Sequence, residues 1–361
     1  MTRLLVVDDS ALIRRLFGEL FSDTGGFEIA FARNGVEALQ QIEAFQPDVV
    51  TLDVHMPEMD GLACLDQIML LRPCPVVMVS AMTEAGADVT LEAMVLGAVD
   101  FVPKPGGAIS LKMDALGPLL VEKVRAAATA RPPKAYRLAE RLRRRNGERK
   151  PAGMALPQPS ERPAPLPRPG PFDGLVLVGT STGGPPALDA LLGWLPADFP
   201  CPILVAQHMP ATFTGPLSRR LDKLCALTVV EVTRPTPLAP GHVYIGKGDA
   251  DLIVGSRPSG LVALPAPSKA EYRWHPSVDR LVSTAMDHVA AERLIGILMT
   301  GMGNDGAASM TELREKGGRT IAESEETAVV WGMPGELVRA GGADWVEPLD
   351  EIAGRLLELV G

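Results

Sequence analysis

The sequence predicts an α/β protein with two parallel-sheet domains joined by a long connector. Three observations carry this expectation. Short apolar runs alternate with helix-patterned stretches in both halves of the chain, an order that gives parallel sheets covered by helices. Between the halves, residues 131–150 hold nine Lys or Arg against two Glu, and residues 151–171 hold eight Pro. That composition cannot form a core and reads as a mobile, extended connector. The 361 residues also exceed what one typical core organises. The expected division is 1–125, 126–171 and 172–361.

In the first domain, strands are expected at 4–7, 27–31, 49–52, 75–79 and 98–102. Helices are expected at 11–21, 35–44, 61–71 and 85–96, with a fifth inside 111–128. Five such units make a five-stranded parallel sheet, whose functional edge lies at the carboxyl ends of its strands. Those ends carry Asp8 and Asp9, then Asp53, then Ser80, then Lys104 before Pro105. Three carboxylates held together repel one another. They make sense around a hard divalent cation with oxygen ligands. A lysine and a hydroxyl beside them suit phosphoryl oxygens.

In the connector, residues 138–145 have the pattern of a short basic helix. A docking segment for an acidic partner or nucleic acid is one reading, and a solvated linker is the one favoured. Tyr136 is its lone aromatic, so stacking on single strands has little support.

The second domain opens on LVLVGTSTGGPP, residues 175–186. An apolar strand leads into a glycine turn and then a helix pre-set by proline. The turn has three readings: a packed glycine corner, an anion-binding loop, or a nucleophile turn matching G-x-S-x-G. Further strands are expected at 202–206, 227–232, 294–299, 319–322 and 343–346. Short strands at 241–245 and 251–255 read as a hairpin. Helices are expected at 212–224, 277–289, 307–316 and 334–339, with another at the C-terminus. The sheet is again mostly parallel and doubly wound.

Three of these strand ends carry Ser181, His208 and Asp305. Strand ends of one parallel sheet converge on one edge, so the three can meet. A serine hydroxyl needs a base to take its proton, and a buried aspartate can orient that base. Glycine-turn N–H groups can hold an oxyanion, and Gly301-Met302-Gly303 brings bare backbone near. His242, His275 and His288 lack a serine and a carboxylate on similar turns and read as structural. Asp279 and Asp287 read as caps or surface groups, and Glu323, Glu325 and Glu326 as a solvated acidic loop. The chain order Ser, His, Asp differs from that of the α/β-hydrolases. The turn also lacks G-K-[ST] and the G-x-G-x-x-G spacing.

Composition bounds the setting. Hydrophobic content is 46% and charged content 22%, as in ordinary globular domains. A net charge of −9 argues against a chain that coats nucleic acid or an anionic membrane. No apolar run approaches ~18 residues, and MTRLLVVDDS lacks the apolar stretch of a secretory signal. Cys64, Cys74, Cys201 and Cys225 are scattered, which argues for a reducing compartment. The expectation is a cytoplasmic monomer without membrane insertion or nucleic-acid binding.

The first constellation resembles the response-regulator receiver domain, a flavodoxin-like fold. The resemblance implies that Asp53 accepts the phosphoryl group and that Asp8, Asp9, Asp53 and the His55 backbone carbonyl hold Mg²⁺. It makes Ser80 and Phe101 the switch residues and Lys104 the phosphoryl contact. GTSTGGPPAL, QHMPATFT, LMTGMGNDGA and VVWGMPGEL resemble the catalytic domain of the chemotaxis receptor methylesterase and glutamine deamidase. That likeness implies Ser181 as nucleophile, His208 as general base and acid, and Asp305 as its orienter. Thr182 and the Met302 N–H then lie at the site, the latter as oxyanion donor. Methyl-accepting chemoreceptors become the substrate and a histidine kinase the phosphodonor, with recruitment to receptor clusters. Hydrolysis itself would need no cofactor. Two departures stand out: the connector is longer and more basic than that family shows, and Trp274-His275-Pro276-Ser277 stands where an arginine is expected before the proline. A phospho-switched binding protein is the rival reading, but it leaves His208 and Asp305 unexplained.

Overall fold

The computed structural model describes residues 1–80, 83–104, 109–130 and 174–361. Most of the basic, proline-rich connector, including the helix expected at 138–145, lies outside the described residues.

The first domain runs β1 (Thr2–Val7), α1 (Ala11–Thr24), β2 (Phe27–Ala32), α2 (Gly35–Phe45), β3 (Val49–Asp53), α3 (Gly61–Leu71), β4 (Val76–Ser80), α4 (Glu84–Leu96), β5 (Asp100–Pro103) and α5 (Ile109–Ala128). Its sheet has the order β2-β1-β3-β4-β5, parallel throughout. The central strands β3 (VVTLD) and β4 (VVMVS) are buried at every position, as strands with helices on both faces must be. Four helices start on side chains that accept a first-turn N–H: Ser10, Asn34, Asp60 and Thr83. The last helix ends at Ala128, three residues beyond the expected domain boundary.

The second domain runs β6 (Leu175–Thr180), α6 (Gly184–Leu192), β7 (Ile203–Gln207), α7 (Ala211–Leu224), β8 (Thr228–Val232), β9 (Thr236–Pro237), β10 (His242–Gly246), β11 (Ala250–Arg257), β12 (Gly260–Pro267), α8 (Val278–Met286), β13 (Leu294–Leu298), α9 (Ala307–Glu315), β14 (Arg319–Glu323), α10 (Met333–Arg339), β15 (Trp345–Glu347) and α11 (Leu349–Val360). Seven strands form a parallel sheet in the order β15-β14-β13-β6-β7-β10-β8. β6 and β13 are central and adjacent, so their carboxyl ends bring the 180–184 and 299–306 turns together.

The expected hairpin is corrected. β10 belongs to the large parallel sheet, between β7 and β8. The antiparallel hairpin is β11 with β12, and β9 adds a third strand. β12 reads GLVALPAP, and its two prolines hide a strand that sequence patterning assigns poorly.

The domains are in contact. α4 packs against α6 and α7. Phe101 stacks on Phe213, with ring centroids 4.3 Å apart. One apolar core cluster runs from Leu5, Val7 and Leu52 to Val176, Leu188 and Phe213. The carboxyl edge of the second sheet therefore faces the β5 edge of the first domain. Among the described residues no helix is long and apolar enough to cross a membrane.

Candidate active site

Ser181 is the first residue after β6. Its N–H donates to the Thr300 carbonyl at 3.0 Å, which ties the turn after β6 to the turn after β13. Gly301 must be glycine here. A Cβ on it would lie 2.8 Å from Ser181 Cβ and would also strike the Met333 sulfur. Gln207, at the end of β7, fixes the third turn. Its Nε2 donates to the Ser181 carbonyl at 3.1 Å and the His208 carbonyl at 3.0 Å, and its Oε1 accepts from Thr180 at 2.6 Å. Sequence patterning passes over Gln207, because a glutamine at a strand end has no chemistry of its own to signal it.

His208 Nε2 lies 2.8 Å from Asp305 Oδ2. A carboxylate can only accept, so Nε2 carries the proton and Nδ1 is the free base nitrogen. Nδ1 is buried and has no hydrogen-bond partner. Ser181 Oγ makes no hydrogen bond to it in this state, a looseness common where substrate is absent. Trp274 lies parallel to the His208 ring, with centroids 5.8 Å apart and planes 5° apart. Its indole fits only because Gly303, at φ +85°, has no Cβ; one would come within 2.6 Å of the ring.

Asp305 is 5% exposed and fully bonded. Besides His208, it accepts Val278 N–H at 2.7 Å, Asp279 N–H at 3.0 Å and Ser277 Oγ–H at 3.1 Å. These donors are the cap and first turn of α8, where backbone N–H groups and the helix dipole favour an anion. Burial works against the charge, but His208 and these N–H groups outweigh it and hold Asp305 below the usual carboxylate range. Ser277 gives no sequence signal as a site residue, because only the fold brings α8 to the β13 turn.

Other candidates sort as follows. His275 Nδ1 and Arg280 both engage Asp251, which is fully buried. The histidine in the expected arginine position thus anchors the α8 approach. Asp279 accepts the Ser309 N–H and braces α9 rather than facing solvent. Among the described residues, His242 meets the Pro240 carbonyl and His288 is exposed. Glu323 corrects the reading of an acidic solvated loop. Its side chain is fully buried, and burial pushes it up to about 7. Neither Thr182 nor Met302 spends its backbone N–H on another group among the described residues.

The first domain reaches this site directly. Val99 accepts the Gly183 N–H at 3.1 Å. Asp100, 4% exposed, accepts from the Thr182 hydroxyl and from Lys123 Nζ. Phe101 stacks on Phe213 in α7. Arg273, whose guanidinium lies over Trp274, pairs with Glu122 of α5.

At the carboxyl edge of the first sheet, Asp8, Asp9 and Asp53 bring carboxylate oxygens within 4.8 Å of one another. Lys104 Nζ is 2.7 Å from Asp53 Oδ2 and 3.0 Å from Asp8 Oδ2. Burial raises Asp53 above its ordinary value, Lys104 pulls it down and Asp8 pushes it up; the net is a rise. His55 is exposed and donates its N–H to Asp53 Oδ1 at 3.3 Å. Ser80 Oγ donates to the Gly86 carbonyl at 3.2 Å.

The family model described as CheB methylesterase matches residues 176–356. The chain belongs to the CheB methylesterase family. The model of the response regulator receiver domain matches residues 4–114. Two relatives extend the likeness over the whole of this CheB-family chain. A protein-glutamate methylesterase/protein-glutamine glutaminase 2 of Rhodopseudomonas palustris (strain BisB18) is 58% identical over 99% of this chain and 98% of its own. A protein-glutamate methylesterase/protein-glutamine glutaminase 3 of Rhodospirillum rubrum is 52% identical, covering 99% and 95%. The CheB methylesterase catalytic domain of Thermotoga maritima is similar in structure, with TM-score 0.50 and 38% identity over 52% of this chain and 98% of that one.

Proposed function

We propose that this CheB-family protein hydrolyses glutamate γ-methyl esters on methyl-accepting chemoreceptors through Ser181, His208 and Asp305. The observation that supports this most is the imidazole itself. His208 is held by Asp305 through Nε2, and its unpartnered Nδ1 shares the site with Ser181. Ser181 Oγ attacks the ester carbonyl while His208 Nδ1 takes its proton. The Met302 N–H holds the developing oxyanion, with Thr182 lining the site. The tetrahedral intermediate collapses, and methanol leaves with the proton from His208. Water then attacks the acyl-enzyme with His208 as base, which frees the glutamate and restores Ser181. The same steps on a glutamine release ammonia, a protein-glutamine glutaminase activity.

We infer a receiver over 1–125, a connector over 126–171 and a catalytic domain over 172–361. Asp53 is the proposed phosphate acceptor, with Lys104 as the phosphoryl contact and Ser80 and Phe101 as switch residues. The donor set of Asp8, Asp9, Asp53 and the His55 carbonyl is all hard oxygen, and the clustered carboxylates fit Mg²⁺. When bound, the ion offsets the negative charge of the carboxylates and of phosphoryl oxygens. Before phosphorylation the receiver holds the Ser181 turn through Val99 and Asp100. Phosphorylation of Asp53 by a chemotaxis histidine kinase would loosen that hold. The proposed setting is the cytoplasm, at receptor clusters.

The test is methanol release from methylated receptor by the full chain with and without phosphodonor. Ser181→Ala should lower the rate by roughly 10,000-fold or more. A variant that still releases methanol at the parent rate rules out Ser181 as nucleophile.

A further inference from the structure

Hydrolysis as described makes no use of the buried acid Glu323. Glu323 ends β14, next to β13, and its carboxyl group is sealed beneath the active-site turn. Oε2 accepts the Thr300 N–H at 2.7 Å, and Oε1 lies 3.0 Å from the Thr327 hydroxyl. The Glu323 carbonyl accepts Trp331 Nε1–H at 3.0 Å. Thr300 is the residue on which the nucleophile turn hangs. Its carbonyl accepts the Ser181 N–H at 3.0 Å, and its hydroxyl donates to the Thr182 carbonyl at 2.8 Å. The 324–333 segment holds the next residue, since Gly301 N–H donates to Val330 and the Gly301 carbonyl accepts from Met333.

We propose that Glu323 is a positioning residue for hydrolysis: it fixes Thr300 and, through it, the alignment of Ser181 with the Met302 N–H. It touches no reacting atom. The inference rests on the hydrolase reading above. Apolar packing would explain a buried Leu or Ile at this place but not a carboxyl group. Desolvating a carboxyl is costly unless its hydrogen bonds are made, and here they all lead to the two segments that frame the turn. Among the described residues no Lys, Arg or His pairs with it.

The role needs hydrogen bonds rather than charge. An ionised Glu323 accepts from both Thr300 and Thr327. A neutral one accepts from Thr300 and donates to Thr327 Oγ1, which also accepts the Leu349 N–H at 3.0 Å. A glutamine can do the same, with its carbonyl toward Thr300 and its amide toward Thr327.

The experiment measures kcat and KM for methanol release by the phosphodonor-treated full chain. Glu323→Ala should lose roughly 10- to 100-fold in kcat, as misplacement of an active-site group does, with KM within about twofold. Glu323→Gln should restore kcat to within about threefold of the parent. Thr327→Val, which keeps the shape of its side chain, should lower kcat by several fold; this variant decides the matter if Glu323→Ala does not fold. A Glu323→Ala or Thr327→Val enzyme with the parent kcat overturns the inference, as does a Glu323→Gln enzyme as slow as Glu323→Ala. Failure of the hydrolase reading looks different, because the parent chain itself would then release no methanol.

Discussion

The two sheet edges surround their aspartates with opposite partners. Both Asp53 and Asp305 lie at the carboxyl edge of a parallel sheet, and both are almost wholly buried. Asp305 is enclosed by donors: His208 Nε2–H, two N–H groups of α8 and the Ser277 hydroxyl. Asp53 shares its edge with two further carboxylates and is balanced mainly by Lys104. Burial works against the charge at both; the donors outweigh it at Asp305, which is lowered, whereas burial prevails over Lys104 at Asp53, which is raised. A carboxylate that must only orient a neighbour is saturated with donors. Asp53, the proposed phosphate acceptor, instead lies among other acids, with Lys104 and the His55 N–H as its donors. Position on the fold is the same, and the bonding decides the chemistry.

The largest effect that would break this contrast is at Asp305. Asp305→Asn keeps the shape but can no longer accept from His208 as an anion. Its amide instead favours the wrong imidazole tautomer, so methanol release should fall roughly 10,000-fold. A modest loss would mean that Asp305 is not the orienter. Asp53→Asn should act quite differently. Basal methanol release should persist, and the rise produced by phosphodonor should disappear. An equal rise in the variant would remove Asp53 from the regulation.

The smallest effect is on stability against pH. Asp305, lowered in the fold, stabilises above its unfolded value of about 3.9, and that stability is lost as pH falls through the lower folded value. Asp53, raised in the fold, stabilises fully below the same unfolded value and loses that contribution as pH rises through its folded value. In thermal melts, the deficit of Asp305→Asn against the parent should therefore shrink on acidification. For Asp53→Asn the parent should lose ground as pH rises from about 4 toward neutrality, by about 1.4 kcal/mol for each pH unit between the unfolded and folded values. Parallel curves for the two variants would erase the distinction drawn between the edges.

The strand ends are the legible part of the molecule. Ser181, His208 and Asp305 follow apolar strands that can be read directly, and so do Asp8, Asp9, Asp53 and Lys104. Residues that act from elsewhere give no such signal. Ser277 caps a helix, and only the packing of α8 turns that cap toward Asp305. Trp274 appears in the sequence only as part of a departure from the family motif, and it is the fold that lays it over His208. Glu323 stands close to Glu325 and Glu326, which suggests water, yet it is still the last residue of β14 and solvent begins only after it. The hairpin is misplaced by patterning because Pro265 and Pro267 mask β12, and β10 alternates too little to reveal which sheet it joins.

Val99, Asp100 and Phe101 are consecutive, and each bonds or stacks onto the catalytic domain near Ser181. Lys104 follows three residues later. The receiver is thus covalently tied to the surface it contacts, and its effective concentration there does not fall when the protein is diluted. Under the proposed function, a receptor segment approaching Ser181 would meet a site open only for the fraction of time the receiver is away. Its apparent dissociation constant is the intrinsic one divided by that fraction. On that proposal, output would be graded by small changes in docking strength, with Ser181, His208 and Asp305 left untouched.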